Sequence, residues 1–304
     1  ITTPFPTDVN VHVETTDGTT FVFDGVVSSD NPLAIPLTNV LGQTDEANVV
    51  STDKGLIVTT SQPVQCVHRI SANTNQTLVT IKGENGRGTD FWCGSQTRNL
   101  NANYGPNEYH FITVMAMEDN TTINIDTPFD MFLAGGGDLA NPYTITLDRY
   151  ESILIRGNNL TEHVAGAHVS SDNEIVVISG STHTRISGPG ANAADGGTDQ
   201  LVPIGLMGNQ FAVVKGDNDP QFDYAIIVAT EDDTDVFLNG SGTASGNIDA
   251  GEYFEYTLGG AQGSGHLLQT DKTAYCYHFT GSSQDDEVGM SAIPQLDCTG
   301  SRYV

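Results

Sequence analysis

Positive charge is scarce in this chain: 304 residues carry 11 Lys+Arg against 38 Asp+Glu, a formal charge of −27. Duplex binding needs cations that displace counterions from phosphates, and anionic membrane surfaces recruit the same side chains, so nucleic acid and such surfaces are excluded as partners. Charge of either sign is thin as well, at 16% of residues where about 25% is usual. No apolar run approaches the roughly 18 to 20 residues of a membrane span, so none is expected in this segment. Good helix formers are sparse beside Thr, Val, Ile and Tyr, and no stretch keeps apolar residues at helical spacing over several turns. Strands are the only regular element left. No GxSxG elbow, HExxH, P-loop or dinucleotide fingerprint occurs, and the nearest match, Gly240-Ser241-Gly242 with Gly246, has the wrong spacing. The chain is therefore not expected to be an enzyme.

What the chain does have is an internal repeat. One pattern recurs three times at a spacing of about 100 residues, the signature of a duplicated structural unit. Its first part is a pair of alternating stretches around a polar turn: Val9 to Phe23, Phe111 to Ile125 and Tyr224 to Leu238. Alternation on both sides of an Asp-, Asn- or Gly-containing turn reads as a β-hairpin. The clearest part aligns without a gap: Gly55 to Cys66 lies over Gly166 to Val177 and over Gly265 to Cys276. The expected fold is all-β, with repeats at 1–104, 105–216 and 217–304. The junctions near 99–107 and 216–222 are short, which favours sandwich-like units in one compact pseudo-threefold body over beads on a string.

Four cysteines allow three pairings. Cys66 and Cys276 share a column of the ungapped segment, and Cys93 and Cys298 both fall in the looser segment that follows. The pairing that keeps repeats equivalent is Cys66 with Cys93 and Cys276 with Cys298, each contributing about 3.5 kcal/mol through loop closure. Disulfides would place the chain outside the cell, and the competing reading is four reduced, buried thiols. Cys66-Val67-His68 and Cys276-Tyr277-His278 each set a thiol and an imidazole on one strand face, but structural zinc wants four ligands and no CxxC is present.

Acidic turns are the better candidates for ligand binding. Asp195 and Asp199, and Asp217, Asp219 and Asp223, cluster carboxylates where hard oxygen ligands could converge on Ca²⁺. No other cofactor is expected. The alternative is that such turns keep a lysine-poor surface hydrated and its strand edges apart. His163, His168 and His183 lie among hydroxyls, as loop histidines do throughout a Ser/Thr-rich chain.

Several of these stretches carry a family resemblance: Glu118-Asp119-Asn120-Thr121-Thr122, Glu231-Asp232-Asp233-Thr234, Gly166 to Val177 with Ser179-Gly180, and Asp199-Gln200-Leu201-Val202-Pro203-Ile204. From about Asn31 onward the sequence resembles the IgGFc-binding protein N-terminal domain family, which includes bacterial surface and secreted relatives. The resemblance implies an all-β extracellular module with adhesive or ligand-binding roles and no catalytic residues. The resulting expectation is a non-enzymatic adhesion module of a larger secreted or cell-surface protein, binding a protein or glycan. A structural subunit pairing with copies of itself into a filament or surface layer is the alternative.

Overall fold

The structure is a computed structural model that describes residues 1–37, 49–72, 75–98, 109–129, 131–132, 140–157, 162–184, 195–216, 223–281 and 289–298. Through the first third run β1 (Val9–Thr15), β2 (Val22–Val27), β3 (Leu56–Thr60), β4 (Cys66–Ala72), β5 (Asn75–Ile81) and β6 (Arg87–Trp92). The second third holds β7 (His110–Ala116), β8 (Thr121–Asp126), β9 (Met131–Phe132), β10 (Tyr143–Leu147), β11 (Ser152–Gly157), β12 (His168–Thr184), β13 (Asp195–Gln200) and β14 (Gly208–Val214). The last third holds β15 (Asp223–Ala229), β16 (Thr234–Leu238), β17 (Gly246–Ile248), β18 (Tyr253–Thr257), β19 (Gly265–Thr280) and β20 (Gly289–Ile293). The fold is all-β: besides strands, the described residues form only short 3-10 turns.

Two long strands are the spines of the second and third units, β12 with 17 residues and β19 with 16. The carboxy-terminal half of β12 pairs with β7 and its amino-terminal half with β8. β19 takes β15 and β16 in the same way. The registers coincide: His110 faces Ser181 as Asp223 faces Thr280, and Ala116 faces Ile175 as Ala229 faces Ala274. Outer strands repeat the match, with β10 on β8 and β11 on β7 answering β17 on β16 and β18 on β15. Each spine is interrupted where a hydroxyl caps the chain, Ser171 Oγ donating to Asn173 O and Thr270 Oγ1 to Lys272 O, both at 2.6 Å.

This corrects the hairpin reading for two of the three repeats. β7 and β8 do not pair with each other; they run end to end along β12, and Met117 N continues the ladder to Glu174 O. Alternation reports which side chains point inward, and it is the same whether a strand pairs with its neighbour or with a longer strand. Only β1 and β2 form the expected hairpin.

Strands also cross between repeats. β6 ends the first third yet pairs with β12, and β14 ends the second yet pairs with β19. Both do so through a register shift, with Phe91 facing Val169 as Phe211 faces Leu268 and Gly88 facing Ile175 as Gly208 faces Ala274. One apolar core spans the second and third units, from Ile112 and Val177 to Tyr224 and Tyr277.

The first third departs from this plan. Pro63 falls where the spine should continue, and proline has no N–H for a ladder, so the spine is broken into β3 and β4. β1 pairs with β3, not β4, and closes a separate small core of Val9, Val11, Val13 and Val27. β4 keeps its hairpin partner β5 in the register of the other units: Cys66 faces Ile81 as Cys276 faces Ile293. Strands β5, β13 and β20, one from each third, lie side by side. Lys82 N donates to Gln200 Oε1 at 2.6 Å and Ala292 N to Asp199 Oδ2 at 3.0 Å.

Candidate binding surface

The break at Pro63 leaves a surface that the other two units do not have. Val67 faces Thr80 and Arg69 faces Leu78 on one side of the β4–β5 hairpin. All four are exposed, Val67 at 50% and Leu78 at 61%. Their counterparts are the pairs Ile178–Gln200 and Gly180–Thr198 in the second unit, and Tyr277–Ala292 and Phe279–Met290 in the third. There Thr198, Gln200, Tyr277, Phe279 and Met290 are all buried. Tyr277 is covered by the chain after β6, packing on Gly94 and donating its hydroxyl to Trp92 O. Large exposed apolar side chains are normal singly and informative when grouped. Ile70, at 44%, lies on the opposite face of the hairpin, with Cys66 and His68.

The same surface stands apart electrically. Between Asp53 and Glu84 the sequence has no acidic residue, while it has Lys54, Arg69 and Lys82. Lys82 is committed to buried Asp199 at 3.0 Å. On a protein of net charge −27 the hairpin itself carries no carboxylate, while β13, which bears Asp195 and Asp199, packs against β5.

The expected disulfides are not formed: Cys66, Cys93 and Cys276 are free thiols. The crossing of β6 explains the first missing bridge. Cys66 stays in β4 close to the amino terminus, whereas β6 carries Cys93 into the second sheet beside Ser179. Burial pushes the Cys93 thiol up to about 12 and raises those of Cys66 and Cys276. The side chain of Cys298 lies outside the described residues. Trp92, next to Cys93 in sequence, stacks on His168 with ring centroids 4.3 Å apart.

The candidate calcium ligands are dispersed. Asp195, Asp199 and Asp223 are all buried in strands: Asp199 accepts from Lys82 and Ala292, and Asp223 from His278 and from Gly216 N. Burial raises the Asp199 carboxyl, offset in part by Lys82. Asp217 and Asp219 lie outside the described residues. Among the described residues no group of three His, Cys, Asp or Glu side chains converges as a metal site would require.

Acidic turns serve the fold instead, by the same hydrogen bonds in both units. Asp172 Oδ1 accepts from Thr122 N and Asp271 Oδ1 from Asp235 N, at 2.7 and 2.8 Å. Asp148 and Asp249 accept from Asn120 N and Asp233 N, the two residues whose φ values of 55° and 57° turn the chain. Glu151 and Glu252 in turn accept from Asp148 N and Asp249 N. Spacing on one strand gave no sign of these partners, but Asp172 and Asp271 share a column of the ungapped alignment and could have been singled out there.

One polar cluster is only half legible in the sequence: nothing there singles out His110, and His163, read there as a loop histidine, is buried. His110 is fully buried in β7, its Nδ1 hydrogen-bonded to Ser95 Oγ. His163 Nε2 meets the Tyr253 hydroxyl at 3.3 Å, joining the second unit to the third. Among the described residues, the buried His110 Nε2 and His163 Nδ1 have no hydrogen-bond partner. Burial pushes His110 down to about 3, with nearby His163 adding to the effect, and His163 to about 4. Closed off from solvent, these rings hold sheets together. His168 accepts no such role, bonding Asp90 at 3.1 Å at a half-exposed site, and the side chain of His183 lies outside the described residues.

Fold and surface together define an internally repeated all-β module whose distinguishing feature is an uncovered hairpin. The chain belongs to the IgGFc binding protein family, whose model matches residues 76–304. That match begins within β5, where the regular units start to be assembled. No curated protein and no solved structure matches the chain. No described helix is long and apolar enough to cross a membrane.

Proposed function

We propose that this chain is a non-enzymatic extracellular binding module that takes a protein partner on the exposed face of the β4–β5 hairpin. One observation carries the reading: Val67, Thr80, Arg69 and Leu78 are exposed, whereas six of their eight counterparts in the sister units are buried and the other two, Ile178 and Ala292, are half-buried. Membership in a family named for binding an immunoglobulin Fc region supports a protein as the partner class. The buried Ser95–His110 pair supports the non-enzymatic part, since no substrate can reach it.

Covering Val67 and Leu78 would contribute about 1.5 to 3 kcal/mol each. A Val67→Asp/Leu78→Asp variant, checked for native circular dichroism, is expected to bind at least about 100-fold more weakly than wild type to the recognised member of a panel of immunoglobulins, mucins and matrix proteins. Equal binding by variant and wild type would move the site elsewhere. Sedimentation of the wild type addresses the alternative, a subunit that pairs with copies of itself: assembly abolished by the same variant would favour a filament or surface layer.

A further inference from the structure

No outside substrate reaches the buried Ser95–His110 pair, but one carbonyl is always beside the Ser95 hydroxyl, that of Gly94 just before it in the chain. Ser95 lies in the segment that leaves β6, and it is fully buried together with His110 of β7 and Ser179 of β12. Ser95 Oγ is hydrogen-bonded to His110 Nδ1. Ser179 Oγ donates to Gly94 O at 2.8 Å. The Gly94–Ser95 peptide bond therefore has a hydroxyl next to it, an imidazole on that hydroxyl and a donor on its carbonyl oxygen, which are the parts of acyl transfer. Its two sides are anchored separately. Cys93 N donates to Ala167 O and Gly166 N to Cys93 O, at 2.8 and 3.0 Å, in the second unit. Thr97 N donates to the Tyr224 hydroxyl at 3.1 Å and Arg98 pairs with Glu255 at 2.6 Å in the third. Gly94 packs on the Tyr277 ring, which any Cβ there would overlap, so no side chain shields the carbonyl carbon.

We propose that the chain cuts itself once, between Gly94 and Ser95, with Ser95 as nucleophile, His110 as base and Ser179 as the donor to the oxyanion. With Nε2 carrying the ring proton, His110 Nδ1 takes the hydroxyl proton as Ser95 Oγ bonds to the Gly94 carbonyl carbon, and the charge that develops on Gly94 O meets the Ser179 hydroxyl. The imidazolium gives its proton to the Ser95 nitrogen and the C–N bond breaks, which leaves Gly94 joined to Ser95 Oγ by an ester and a free amine on Ser95. Water, the one further reactant, hydrolyses that ester to a Gly94 carboxylate and restores the Ser95 hydroxyl. Burial keeps the His110 ring neutral and so able to accept the proton. Attacking and attacked atoms belong to adjacent residues, so orientation replaces a substrate cleft. The event is intramolecular and without turnover, and it is independent of the binding reading above. The pieces, 1–94 and 95–304, would stay together because β6 is laddered to β12. The β4–β5 hairpin would then be held to the second and third units by non-covalent contacts alone.

The full chain is purified, held at neutral pH, then denatured, weighed by mass spectrometry and sequenced from its amino termini. Expected is a second amino terminus reading Ser95-Gln96-Thr97, with a Gly94 hydroxamate when the denatured chain is treated briefly with neutral hydroxylamine, which captures the ester. Ser95→Ala is expected to abolish both products, and His110→Gln and Ser179→Ala to slow them at least about 100-fold. Ser95→Cys, which attacks the same carbon through sulfur, is expected to restore cutting. Should the variants fail to fold, the wild type still decides, because self-cleavage runs at a rate independent of chain concentration and a contaminating protease does not. Four results would overturn the proposal: a wild-type chain that yields neither the Ser95 terminus nor the hydroxamate, cutting at any other bond alone, a rate that falls on dilution, or undiminished cutting in a natively folded Ser95→Ala, His110→Gln or Ser179→Ala variant.

Discussion

Mild acid should loosen this protein by charging two imidazoles that the fold keeps neutral. His110 and His163 are buried at the junction of the second and third units, and burial lowers them from 6.5 to about 3 and about 4. Above 6.5 both rings are neutral in the folded and unfolded chain, so stability does not depend on them. Below it the unfolded chain takes up protons that the folded one refuses, and stability falls until the folded values are reached. At about pH 5 each ring accounts for about 2 kcal/mol of lost stability, about 4 kcal/mol together. With an unfolding entropy of about 2.1 cal/mol/K per residue, a chain of this length should lose about 6 °C in Tm from that pair alone. Calorimetry between about pH 7.5 and about pH 5 on the wild type and on a His110→Gln/His163→Gln variant isolates the effect, since every carboxylate titrates in both proteins. Ser95, Phe129 and Tyr253 flank the rings and bring no charge at these pH values. The variant should start lower and fall less. Parallel curves would refute the account of buried neutral imidazoles.

Three further outcomes follow from the packing. Native alkylation should label Cys66 alone of the three described thiols, with Cys93 and Cys276 reacting only after denaturation; mass spectrometry showing a bridge between any two would contradict the structure. Gly166 has φ +88° and any Cβ there would overlap the carbonyl oxygen of Gly251 across the unit junction, so Gly166→Ala should cost about 3 kcal/mol or more in denaturant unfolding. Asp172→Ala and Asp271→Ala each orphan one equivalent backbone N–H and should cost about 1 kcal/mol apiece, additively, in the same assay.

Much of the architecture was legible because duplication prints register into sequence. The ungapped match of Gly166–Val177 to Gly265–Cys276 is the match of β12 to β19, down to the hydroxyl caps at Ser171 and Thr270. Strand pairing was less legible. The alternation of Ile112, Val114 and Ala116 fixes an inward face but carries no information on whether β8 or β12 supplies the hydrogen bonds. The disulfide expectation failed for a related reason: it assumed that each third closes on itself, whereas β6 carries Cys93 away from Cys66. Pro63 was visible as a residue, but its effect depends on the long spine that only the other two units reveal. The His110–Ser95 contact joins residues whose neighbourhood is set by that same crossing, so no spacing rule could have found it.

Because β6 and β14 each finish a sheet that begins downstream of them, the units overlap like shingles. A cut placed at the boundary of a repeat would strip one sheet of a strand and leave another strand naked, so the smallest piece that can be excised intact is staggered with respect to the duplication.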